Sequence, residues 1–140
     1  MGCRFEMLPR YKLKIAHFLS GELLQKAREA DAAKEHMQRT INALEGPPRG
    51  SEKSNFKVVK NVGHPLYGMP GGSIIDDLAD PKATEAFGPE AAKDAHEMAR
   101  RARDAAVQSI ANPNVTLEEM KLSGRTVSGL LQSAIDRISS

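Results

Sequence analysis

Between Pro89 and Ala111 one stripe of nine apolar residues recurs at helical spacing, yet seven of the nine are alanine. Only Met98 and Ile110 interrupt the series Ala91, Ala92, Ala95, Ala99, Ala102, Ala105 and Ala106. The period is that of an α-helix. Pro89 suits a first helical position, and Asn112-Pro113-Asn114 breaks the pattern. A second seam, Leu23, Ala27, Ala30, Ala33, Met37, Ile41 and Leu44, predicts a helix over 22–45 that Gly46-Pro47-Pro48 stops. Alanine favours helix but buries little area, and burial contributes only about 25 cal/mol per Å². Seams with alanine centres therefore pack closely and weakly.

Large apolar residues are correspondingly few. Leu, Ile, Val and Phe make up 29 of the 140 residues, against 18 alanines and no tryptophan. Such a chain forms helices easily and struggles to build a deep core, so partner surfaces are expected to supply what is missing. The predicted fold class is mostly α. It comprises four or five helices, as an extended subunit or a small helical bundle, with long Gly/Pro-rich connectors and at most one short strand.

The remaining elements follow from local signals. Leu8, Tyr11, Ile15, Phe18 and Leu19 predict a helix over 8–19, with Pro9 in its first turn and a break near Ser20-Gly21. Phe56 to Val62 alternates in part and is the one strand candidate. A single strand cannot form a sheet, so it is expected to pair with another chain or a minor neighbour. Ser73 caps IIDDLA, and Asp80-Pro81 opens a helix running to Gly88. Thr116 reads as the cap of a short turn, and a last helix over about 126–138 presents Val127, Leu130, Leu131, Ala134, Ile135 and Ile138 as one stripe. These divide the chain into an N-terminal helical arm (1–45), a Gly/Pro-rich connector and docking loop (46–72) and a C-terminal helical region (73–140). Formal charge is +5 over 1–72, −5 over 73–98 and +2 over 99–140, so opposite blocks can attract within or between chains.

Several kinds of chemistry lack their residues. Cys3 is the single cysteine, which leaves no internal disulfide and no cysteine-based zinc cluster. HEMAR at 96–100 begins like a zinc-binding HExxH, but Arg100 stands where the second histidine belongs. The pairs Asp76-Asp77 and Glu118-Glu119 point about 100° apart on a helix and read as helix-start charges rather than acid/base couples. GMPGGS lacks the Gly-Lys-Ser/Thr ending of a phosphate loop. No enzyme activity, metal or cofactor is expected. No apolar run reaches the roughly 18 residues of a spanning helix, and the N-terminus has no signal-like core. Glu6 stands where a myristoylation site wants Ser or Thr. The expected location is intracellular, in the cytoplasm or within a particle.

One stretch, TLEEMKLSGRTVSGLL (116–131), resembles the cadence of a helix-turn-helix, although Thr116 to Thr126 leaves about one helical turn too few. With Lys93, Arg100, Arg103 and Arg125 as the basic residues, it supports a small DNA-binding protein as one alternative. A membrane-surface or partner-helix module over residues 4–19 is another. The leading expectation is a non-enzymatic structural or adaptor subunit of a multi-copy assembly, such as a virus particle, whose partners are other protein subunits. Its contacts would be Ile15, Phe18 and Leu19 on the first helix, Leu66, Tyr67 and Met69 in the loop, and Leu130, Leu131, Ile135 and Ile138 on the last.

Overall fold

Helix is what nearly every described residue adopts, because the seams of three- and four-residue spacing are long and the breakers fall between them. The computed structural model describes residues 2–46, 54–57, 59 and 73–139, with side chains from Pro9 onward. Six helices occur in the order α1 (Gly2–Lys26), α2 (Ala30–Glu45), α3 (Ile74–Ala79), α4 (Pro81–Phe87), α5 (Pro89–Ala111) and α6 (Leu117–Ser139). Of the two arrangements expected, the small helical bundle is the one that forms. Among the described residues there is no strand.

The helix ends show their local causes. Ser73 Oγ accepts from Asp76 N–H at 2.9 Å, and Asp80 Oδ1 from Lys82 N–H at 2.9 Å. Thr116 and Glu119 cap each other, Thr116 N–H to Glu119 Oε1 at 3.0 Å and Glu119 N–H to Thr116 Oγ1 at 3.1 Å. Gly46 closes α2 at φ +71°, a conformation that costs other residues a clash.

Three expected boundaries are corrected. Pro9 lies inside α1 rather than in its first turn. Ser20-Gly21 does not break that helix, because the Ser20 hydroxyl bonds back to His17 C=O at 2.7 Å and both neighbours stay helical. The break falls instead at residues 27–29, ahead of Glu29 in an extended conformation. The last helix does not begin near 126 after a short turn either: α6 is continuous from Leu117 to Ser139, so the helix-turn-helix geometry is absent.

Helix α6 packs between α1 and α5, and α2 lies against α1 and α5. It runs antiparallel to α1, since Arg10 Nε donates to Ile138 C=O at 2.8 Å while Gly124 abuts Leu23 and Leu24. The core pairs small with large. Ala95, Ala99, Ala102 and Ala106 of α5 are fully buried, as are Leu13, Leu23, Met37, Ile41, Leu44, Met120, Val127 and Leu131 from the other three long helices. Alanine on one helix brings its backbone close and leaves the space to long side chains opposite. The seam read over 23–44 is buried apart from half-buried Ala30.

Short helices α3 and α4 pack across α1 and α5. Lys12 on α1 reaches Asp77 on α3 at 3.2 Å, joining the basic front of the chain to its acidic middle. The Arg10 guanidinium lies 5.4 Å from the centre of the Phe87 ring, a cation–π contact between α1 and α4. No described helix is long and apolar enough to cross a membrane.

Candidate functional site

Helix α1 buries one face and leaves aromatics on the other. Leu13, Ala16, Leu19 and Leu23 point into the bundle, so residues on the opposite side of the 100° wheel must face out. Tyr11 and Phe18, seven residues apart and thus on one line, are 48% and 55% exposed. Ile15 is half-buried between them and Lys14 is exposed beside them. Leu122 on α6, 62% exposed, is the other large apolar residue in this state among those described.

The expected contact residues are therefore divided. Phe18 stays accessible, Ile15 is half-buried, and Leu19 belongs to the core. On α6, Leu131, Ile135 and Ile138 are covered by the chain's own helices, and Leu130 is half-buried against them. The bundle itself supplies the cover anticipated from a partner. Leu66, Tyr67 and Met69 lie outside the described residues.

The basic stripe on α5 is largely neutralised in place. Arg100 bonds both oxygens of Glu97 at 2.8 and 2.9 Å, and Arg101 reaches the same carboxylate at 3.1 Å. The Arg100 hydrogen bonds hold Glu97 below the ordinary carboxylate range. Arg103 pairs with Asp104 at 2.7 Å and with Glu45 of α2 at 3.2 Å. Lys93 and Arg125 are exposed, on separate helices.

Three polar arrangements were not read from sequence. On α2, Gln38, Asn42 and Glu45 at i, i+4 and i+7 form a ridge that holds residues 54–57 by their backbone. The partial strand read over 56–62 thus pairs, over the part described, with helix side chains rather than with a strand. A polar line bordering the apolar Met37 and Ile41 was the available signal. The second is the Lys12–Asp77 pair, with side chains 4% and 19% exposed. Burial pushes the Asp77 carboxyl up, outweighing the Lys12 ammonium beside it. The third surrounds His36 on α2. Burial lowers its basicity, and Arg39 adds to that, while Glu22 on α1 opposes it.

Among the described residues no three His, Cys, Asp or Glu side chains converge as a metal site would require. What stands out is an exposed aromatic line on α1 and, on α2, a polar ridge bonded to the backbone of residues 54–57. Compared with known protein families, with curated proteins and with solved structures, the chain matches none.

Proposed function

We propose that this chain is a non-enzymatic helical subunit that self-associates in a multi-copy assembly through the outer face of α1. The observation that carries the reading is the line of Tyr11, Ile15 and Phe18 on the side of α1 turned away from the core. Single exposed apolar residues are ordinary, but two aromatics aligned on one helix make a stripe, and aromatics are enriched where proteins meet.

Magnitude decides the kind of assembly this face supports. Two half-exposed aromatics offer on the order of 200 Å². At about 25 cal/mol per Å² their burial yields about 5 kcal/mol. Association costs roughly 4–15 kcal/mol before any net affinity appears. One stripe therefore gives a weak contact, and stable binding needs further area or several contacts made together, as in a multi-copy complex.

The test is solution mass by light scattering over a range of concentrations, for the wild-type chain and for Tyr11→Lys/Phe18→Lys. The wild type is expected to rise above the 15.2 kDa of one chain with concentration, and the variant to remain at it with unchanged helicity. A wild type that stays at the single-chain mass throughout, or a variant that associates like it, removes the reading.

A further inference from the structure

The ridge on α2 recognises backbone. Asn42 Nδ2 donates to Lys57 C=O at 2.6 Å, and Asn42 Oδ1 accepts from Lys57 N–H at 3.0 Å. Gln38 Nε2 donates to Asn55 C=O at 2.8 Å, and Glu45 Oε2 accepts from Asn55 N–H at 2.8 Å. Two alternate residues thus turn both their N–H and their C=O toward one helix, as successive hydrogen-bonded positions on a strand edge do. Side-chain-specific contacts are fewer: Asn55 Nδ2 and Ser54 Oγ donate to Glu45 at 2.8 and 3.2 Å.

The receptor side is built to hold its shape. Gln38 and Asn42 are 7% and 4% exposed, and Gln38 Nε2 also bonds Asn42 Oδ1 at 2.8 Å, which orients the amide. Arg103 of α5 fixes Glu45 from behind at 3.2 Å. These groups are satisfied by a bound chain, and leaving such buried groups unpaired costs about 1–3 kcal/mol each.

We propose that this ridge is a receptor for an extended segment, and that in an assembly its occupant is residues 54–57 of a second copy. The segment shown to fit belongs to this chain, so a second copy presents the same backbone and every bond given up in cis is regained in trans. Exchange of an identical element is a low-cost route between copies. Residues 46–53 tether the segment to α2, giving the cis form an effective concentration on the order of millimolar. Crowding of copies shifts the balance toward exchange. This site is independent of the α1 stripe.

Two full-length variants separate giving from receiving, both made in the Tyr11→Lys/Phe18→Lys background so that α1 contacts play no part. The acceptor, Asn55→Pro/Lys57→Pro, lacks both N–H donors of the segment while keeping the ridge. The donor, Gln38→Ala/Asn42→Ala, keeps the segment and loses the ridge. Each alone is expected at single-chain mass, and their mixture at twice that mass. A chain carrying both pairs of changes is expected to complement neither. A mixture that stays at single-chain mass, or a complex that survives when the doubly altered chain replaces either partner, overturns the proposal. Should the acceptor lose helicity, Lys57→Pro alone replaces it, with a synthetic 52–60 peptide as donor. That peptide is then expected to bind this chain about tenfold more tightly than the wild type. Equal or absent binding overturns the proposal.

Discussion

Two glycines five residues apart on α6 provide a test of the packing. Gly124 and Gly129 both lie in the interior of a 23-residue helix. Replacing either by alanine gains the same helix propensity, about 0.5–1 kcal/mol. Their surroundings differ. A Cβ at Gly129 meets nothing within 4 Å, whereas one at Gly124 meets Leu23 Cδ2 at 3.0 Å and Leu24 Cδ2 at 3.2 Å. Comfortable carbon contacts are about 3.5–4.0 Å. Leu24 is half-buried and has room to turn outward, but Leu23 is fully buried and has little. Overpacking of this kind costs about 1–3 kcal/mol, which equals or exceeds the propensity gain. Gly129→Ala is thus expected to stabilise by about 0.5–1 kcal/mol, and Gly124→Ala to be neutral or destabilising by up to about 2 kcal/mol. At about 3–5 °C per kcal/mol for a chain of this size, thermal unfolding followed by circular dichroism resolves the difference. Gly21→Ala on α1, also without a neighbour within 4 Å, is an internal control of the same sign as Gly129→Ala. A Gly124→Ala chain stabilised as much as Gly129→Ala would refute the close approach of α1 and α6.

Other perturbations read other contacts. Thr116→Ala removes one half of the reciprocal cap and is expected to cost about 1 kcal/mol in denaturant unfolding, with the slope unchanged. Asp77→Asn removes one charged partner of the buried Lys12 ammonium and is expected to cost about 1.5–3 kcal/mol. Adding Lys12→Met should recover part of that loss, and additive single effects would show that the two residues are uncoupled. His36 faces Glu22 and Lys26 from α1 and Arg39 and Glu35 from its own helix, and its basicity is lowered in the fold. The unfolded chain then binds the extra proton more readily, so stability is present above the ordinary value of about 6.5 and declines as pH falls below it. His36→Gln is expected to flatten that part of the stability–pH curve; an unchanged slope between wild type and variant would refute the assignment.

Much of the secondary structure was legible because its causes are local. The series of alanines from 91 to 106, Pro89, the Asn112-Pro113-Asn114 break and the caps at Ser73 and Asp80 act within a few residues of themselves, and the helices they predict form, whereas Thr116, read as the cap of a short turn, opens the whole of α6. The errors arose where one residue type has two local meanings. Glycine breaks helices and also lets helices touch, so the last helix was expected to begin only near 126, whereas α6 runs through Gly124, which lies against Leu23 and Leu24. Serine caps helices and also bonds back along them, so Ser20 read as a boundary when it is interior. The candidate site was less legible. An aromatic stripe and a core stripe share the same period, and only packing distinguishes Phe18, exposed, from Leu19, buried.

The sequence by itself determined which face of α2, α5 and α6 is apolar and how small the core side chains are, since the period and the residue volumes are written in the chain. What covers those faces was decided by the tertiary structure. Leu131, Ile135 and Ile138 demand burial equally from a partner or from α1, α2 and α5, because the hydrophobic effect depends on area removed from water and carries no label for the surface that removes it. Likewise, a backbone segment needs its N–H and C=O groups bonded but does not specify by what. The fold placed Gln38, Asn42 and Glu45 where residues 54–57 find those bonds, bringing together positions ten or more apart that no local signal links.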